Sequence, residues 1–142
     1  MPGGKGTRTG KILEDQIEIV LKNNGYKFRK QVEVGHRIYG GKYIADFIVE
    51  SNKGECIISC KWQQVPGTAQ FKLLEEIASL IYVITTGDYK KGYVVLGGPG
   101  WSKSFLESSL KQIHKTILQN GDIVEVLNLD NMIARLNIGR IC

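Results

Sequence analysis

Residues 43–63 constrain this chain more than any other stretch. They read Tyr-Ile-Ala-Asp46-Phe-Ile-Val-Glu, then Ser-Asn-Lys-Gly, then Glu-Cys-Ile-Ile-Ser59-Cys60-Lys61-Trp-Gln63. Two apolar runs flank the turn signal Asn52-Lys53-Gly54, so they are expected to pair as antiparallel strands. That pairing sets an acid inside one strand beside a lysine near the end of the next. Acids are uncommon inside apolar strands, so Asp46 is read as functional rather than as a solvated strand residue. Lys61 is read the same way, against the alternative of a lysine that keeps a sheet edge soluble. A carboxylate beside a lysine suits cation-assisted phosphodiester hydrolysis. The acid holds a divalent ion, while the lysine positions the attacking water and offsets phosphate charge.

The remaining pattern places this hairpin in an α/β domain. Residues 1–8 read as a flexible, basic, Gly-rich arm, and Thr7 or Thr9 can cap a first helix. Leu13, Ile17, Val20 and Leu21 recur at helical spacing until Asn23-Asn24-Gly25 stops the helix. Residues 26–34 read as a first strand and 35–41 as a turn. Pro66-Gly67-Thr68 opens a helix from about 69 to 81, with Phe71, Leu74, Ile77, Ala78 and Ile81 expected on its core face. Residues 93–96 form a short apolar strand suited to a sheet centre. Residues 102–119 are expected as one helix with the stripe Phe105, Leu106, Leu110, Ile113 and Ile117. A last strand over 123–127 and a helix near 129–136 follow. The order α-β-β-β-α-β-α-β-α implies a single domain over 1–142, with a mixed sheet covered by helices on both faces.

Composition narrows the class. The 142 residues suffice for one domain with a real core, and the 42% hydrophobic content argues against disorder. No apolar run reaches the roughly 18 residues of a membrane span, and no secretory signal is recognisable. The expectation is therefore a soluble cytoplasmic protein. Cys56, Cys60 and Cys142 fit no zinc spacing and read as buried structural thiols. The formal charge of +5 is compatible with a nucleic-acid partner. Lys5 and Arg8 in the arm, and Arg37 and Lys42 around the first hairpin, can track phosphates. Gln70 and Lys72 open a helix whose amide groups can hold one. His114 reads as a helix-surface residue, and Trp62 and Trp101 as core or rim packing.

In order and spacing these pieces resemble the PD-(D/E)XK nuclease superfamily, the fold of restriction endonucleases, with its αβββαβ core. Gly10-x3-Glu14-x6-Leu21-x3-Gly25-Tyr26 looks like the family's first helix. Ile44-Ala45-Asp46-Phe47 looks like its acid-bearing strand, and Ile57-Ile58-Ser59-Cys60-Lys61-Trp62-Gln63 like its (Asp/Glu)-x-Lys strand. The resemblance implies Asp46 as the central ligand of a Mg2+ ion, with Mn2+ able to substitute. It makes Cys60 a ligand through its carbonyl and Lys61 the contact to phosphate and water. Gln63 shares the face of Lys61 and can orient water or contact a phosphate; the alternative is a polar strand end. Glu14 can complete the metal site, with Glu18 as the fallback; the alternative for Glu14 is a helix acid aiding the dipole.

One position departs from the family. Ser59 stands where a second carboxylate is expected, and a hydroxyl is a poor ligand for a hard cation. Three readings follow: an inactivated variant, a carboxylate supplied from elsewhere (Glu14 foremost), or a divergent site using Ser59 weakly. The reading favours a Mg2+-dependent DNA endonuclease of restriction or homing type, weakened or inactive through Ser59. A non-catalytic DNA-binding subunit and a Holliday-junction resolvase are the alternatives. The partners implied are double-stranded DNA and either further copies of the chain or a larger specificity subunit.

Overall fold

The first helix, α1, spans Pro2–Asn23. Leu13, Ile17 and Leu21, one turn apart, are its buried stripe. It ends as a Schellman motif: Gly25, at φ +72, donates to the Lys22 carbonyl, and Tyr26 donates to that of Leu21. This computed structural model describes residues 2–142, except for the side chains of residues 2–9 and of Thr68 and Ala69. The segment expected as an arm is therefore helix from Pro2 onward, with Thr7 and Thr9 inside it rather than capping it. The phosphate contacts expected of Lys5 and Arg8 fall outside the described side chains.

Five strands follow: β1 (Phe28–His36), β2 (Lys42–Ser51), β3 (Gly54–Trp62), β4 (Lys91–Gly97) and β5 (Val124–Asn128). They lie in sequence order across one sheet. The β1–β2 and β2–β3 pairs are antiparallel, and β4 and β5 continue parallel to β3. Each parallel step needs a crossover. The first passes through a 3-10 turn, Thr68–Lys72, and α2 (Leu73–Thr86). The second passes through α3 (Lys103–Leu110) and α4 (His114–Ile117), and α5 (Leu129–Ile138) closes the chain. α1 and α5 cover one face over Phe47, Val49, Ile58 and Val95. α2 and α3 cover the other over Tyr43, Ala45, Ile57 and Val94. This is the mixed, helix-covered α/β sheet of the restriction-endonuclease-like fold.

β1 and β2 change face partway along. Tyr43 and Ala45 of β2 join the core under α2, but Phe47 and Val49 join the core under α1. In β1, Phe28 packs on the α1 side, and Val32 and Val34 on the α2 side. Residues of one parity would share a face in a regular strand, so both strands twist at the level of Gln31 and Asp46. The β2–β3 ladder stops at Phe47 opposite Ile58. Beyond that point the two strands part, and the gap is where the conspicuous side chains gather.

Three expectations are corrected. Phe71 and Leu74 are 74% and 46% exposed, because the 3-10 turn shifts the phase; Leu73, Ile77, Leu80, Ile81 and Ile84 form the buried stripe instead. The helix expected over 102–119 breaks at Gln112, φ +64, leaving Ile113 and Ile117 exposed. His114 is not a surface residue: it is 1% exposed, with Nε2 against the carbonyls of Gly121 and Val124. A further correction concerns the cysteines: Cys56 and Cys142, expected as thiols, pair as a disulfide with Cα atoms 6.3 Å apart, because the chain end returns to β3, and Cys60 is free. No described helix is long and apolar enough to cross a membrane.

Candidate active site

Asp46 sits where β2 and β3 part. Its Oδ2 accepts the Cys60 backbone N–H at 2.6 Å, a donor that the ended ladder would otherwise leave free. Its Oδ1 accepts from Gln31 Nε2 at 3.2 Å, and the same nitrogen donates to Glu14 Oε1 at 3.0 Å. Burial raises the Asp46 carboxyl above its usual range, though the Cys60 and Gln31 donors and Lys61 pull it back. Burial raises Glu14 too, helped by the nearby charges of Asp46 and Asp15. Two carboxylates thus face one opening with too little positive charge between them, an arrangement suited to a cation.

The second group gathers on the α2 face. Ser59 is buried and shares a 2.7 Å hydrogen bond with the Tyr43 hydroxyl, which in turn donates to Glu76 Oε2. Glu76 Oε1 takes Lys61 Nζ at 3.1 Å and an Arg37 guanidinium nitrogen at 2.9 Å. Glu76 is itself only 4% exposed. Burial pushes its carboxyl up, but Lys61, the Tyr43 hydroxyl and Arg37 outweigh that and hold it below the usual range. A carboxylate on α2 therefore reaches the side of β3 that Ser59 and Lys61 face. The sequence reading missed it. The available signal was an acidic pair, Glu75-Glu76, in the first turn of the helix after the Lys61 strand, at positions where an amphipathic helix turns inward.

The other expected residues divide. Lys61, Lys72, Arg37, Glu75, Glu76 and Trp101 line one cleft of about 310 Å³. Arg37, expected on phosphate, is tied to Glu75 and Glu76 and lies over the Tyr43 ring. Lys42 is exposed, with one loose 3.7 Å contact to Glu33. Gln70 lies against the backbone of Ser102. Gln63, expected to orient water, is buried, and its Nε2 donates to the Gly100 carbonyl at 2.8 Å; it fastens the β4–α3 loop. Glu18, the fallback for Glu14, is taken by Lys22 and Lys30.

These donors fit a hard divalent cation. Asp46, Glu76 and the Cys60 carbonyl are oxygen ligands of the kind Mg2+ takes, with Glu14 reached through water. Among the described residues no three acidic, His or Cys side chains close into a cage. A cation held there would take its remaining ligands from water and phosphate oxygens, as Mg2+ commonly does.

A family model described as a PD-(D/E)XK nuclease superfamily domain matches residues 5–139. No curated protein matches the chain. Among solved structures, the chain is similar to a protein of unknown function, AF1548, at 11% identity and a TM-score of 0.49. That match covers 82% of this chain and 57% of the other. With the family match running over most of its length, and with the acid and the lysine on the second and third strands of the sheet, the chain belongs to the PD-(D/E)XK nuclease superfamily.

Proposed function

We propose that this chain is a divalent-cation-dependent DNA endonuclease whose second carboxylate is Glu76, supplied from α2 in place of residue 59. The observation that carries the reading is the contact set at Glu76: Lys61 on one oxygen, and Tyr43, itself bonded to Ser59, on the other. The acid is displaced in sequence rather than lost, so the Ser59 departure does not require an inactive protein. Asp46, Glu76 and the Cys60 carbonyl would hold Mg2+, or Mn2+ in its place, and a cation held there would supply a lowered water pKa and charge stabilisation at the phosphate.

The protein's own groups do the rest. Lys61 is 40% exposed at the cleft and held by a single contact, so its ammonium can turn to a phosphate oxygen. Arg37 keeps Glu76 ionised and in place. A nucleic-acid phosphodiester is favoured over a small one by the +5 charge and by Lys72, which lines the cleft; DNA is the substrate that the family resemblance implies. One such site per chain cuts one strand, so cleavage of a duplex calls for a second copy or a partner subunit.

The test is cleavage of supercoiled plasmid with Mg2+ or Mn2+. Discrete nicked or linear products are expected, with Asp46→Asn, Glu76→Gln and Lys61→Ala each lowering the rate by about 10²-fold or more. Cleavage that survives Glu76→Gln would remove Glu76 from the site. No cleavage by the wild-type chain on linear, branched or supercoiled DNA would end the reading.

A further inference from the structure

Gln31 lies in the middle of β1 with φ +53, the left-handed region that residues other than glycine rarely adopt. Its neighbours keep the β1–β2 register, Lys30 opposite Phe47 and Val32 opposite Ala45, but Gln31 and Asp46 make no ladder pair between them. The kink has a visible consequence. Successive strand side chains point to opposite faces, yet Lys30 and Gln31 both reach α1. Lys30 Nζ meets Glu18 at 2.8 Å, and Gln31 Nε2 meets Glu14, one turn earlier on that helix, at 3.0 Å. The same nitrogen lies 3.2 Å from Asp46 Oδ1. One amide N–H2 group thus spans two carboxylates and offers a proton to each.

Gln31 is exposed, so core packing does not force this conformation. Glycine would adopt it without strain. Strained residues held by their surroundings cluster at functional sites. The side-chain type is also informative. A lysine here would neutralise the two acids and stand in for a cation, and a third acid would repel them. A neutral donor satisfies one lone pair on each carboxylate and leaves their charge intact.

We propose that Gln31 is a positioning residue of the cation site: its left-handed backbone carries the amide between Glu14 and Asp46 and fixes the spacing of the two carboxylates. The inference rests on the reading of Asp46 as a cation ligand. The test measures Mn2+ binding by electron paramagnetic resonance, alongside unfolding temperatures without cation. It uses wild type, Asp46→Asn, Gln31→Gly, Gln31→Met and Gln31→Lys. Gln31→Gly is expected to keep a Tm no lower than wild type yet bind Mn2+ about tenfold or more weakly, the usual effect of losing a residue that orients a ligand. Gln31→Met should weaken binding likewise, and Gln31→Lys should abolish it. If Asp46→Asn loses Mn2+ while the Gly and Met variants bind as wild type does, Gln31 is only a feature of the strand and the inference falls alone. If wild type binds no Mn2+, or Asp46→Asn binds as well as wild type, the reading of the site falls and takes this inference with it.

Discussion

Ser59 is small because the space before it is occupied. Tyr43 and Glu76 converge there within a buried hydrogen-bonded set, so a longer acid would crowd a second carboxylate against Glu76 and compete with it for Lys61 and Arg37. Reading residue by residue, Ser59→Glu restores the family pattern and raises cleavage. With Glu76 in place, Ser59→Glu is expected instead to lower plasmid cleavage by about tenfold or more and to destabilise the fold, because a buried unpaired charge is strongly unfavourable. Ser59→Ala should keep cleavage within a few-fold and lose about 1 kcal/mol in urea unfolding, the usual effect of one hydrogen bond. A rise in cleavage with Ser59→Glu would return the missing acid to β3. The departure at residue 59 was legible in the sequence, but the acid proposed to compensate it was not. Glu76 stands fifteen positions beyond Lys61 (76 − 61), and only the α2 crossover brings it back over β3.

At the scale of elements, two segments are fixed by contacts that periodicity does not reveal. The β1–β2 hairpin is clamped to α2 by Arg37 on Glu75 and Glu76 and by the Ile38 N–H on Ser79 Oγ. At its tip Tyr39 is 88% exposed. Arg37, two residues before it, lines the cleft, so an exposed ring at Tyr39 suits stacking on a base of the proposed DNA substrate. Tyr39→Ala is expected to weaken DNA binding by about 1–3 kcal/mol with no change in Tm, and equal binding by mobility shift would refute the stacking role. Past β4, the long helix expected from sequence is cut because Gln112 turns to the sheet. Its amide accepts from Val126 N–H at 2.8 Å and donates to Val126 O at 2.6 Å, pairing the edge strand β5 as another strand would. Leucine and isoleucine spacing continues through residues 113 and 117, so the apolar pattern alone could not mark the break. Gln112→Ala leaves both Val126 groups unpaired and should lose about 1–3 kcal/mol of stability in chemical denaturation.

Across the whole molecule, two sets of buried or half-buried carboxyls respond oppositely to pH. Glu76 and Glu125 are pushed up by burial but pulled further down, Glu76 by Lys61, Tyr43 and Arg37, and Glu125 by Lys91 and Arg135. Their ionised forms stabilise the fold above the ordinary carboxylate range, and that stability is lost as pH falls through their lowered values. Asp46 and Glu14 are raised, chiefly by burial. Ionised, they oppose folding at neutral pH, and the opposition lifts as pH falls through their raised values toward the unfolded ones. A cation at Asp46 removes the same opposition. Mg2+ or Mn2+ is therefore expected to raise Tm most near about pH 7, and progressively less as protons compete toward the carboxylate range. Asp46→Asn should raise the cation-free Tm and abolish the cation effect. A cation-induced shift that persists in Asp46→Asn would place the ion elsewhere.

The sequence by itself determined the order of strands and helices, the antiparallel β2–β3 pair and the placing of Asp46 beside the Lys61 strand. Those follow from alternation, turn residues and local spacing, which act over a few positions and leave a direct trace in the chain. Only the tertiary structure decided which acid lies near Ser59, which way Arg37 and Gln63 turn, where the helix before β5 breaks, and that Gln31 is bent out of its strand between two carboxylates. Each of those rests on a contact between segments distant along the chain. Burial and charge balance there are set by what packs opposite a residue, not by what flanks it.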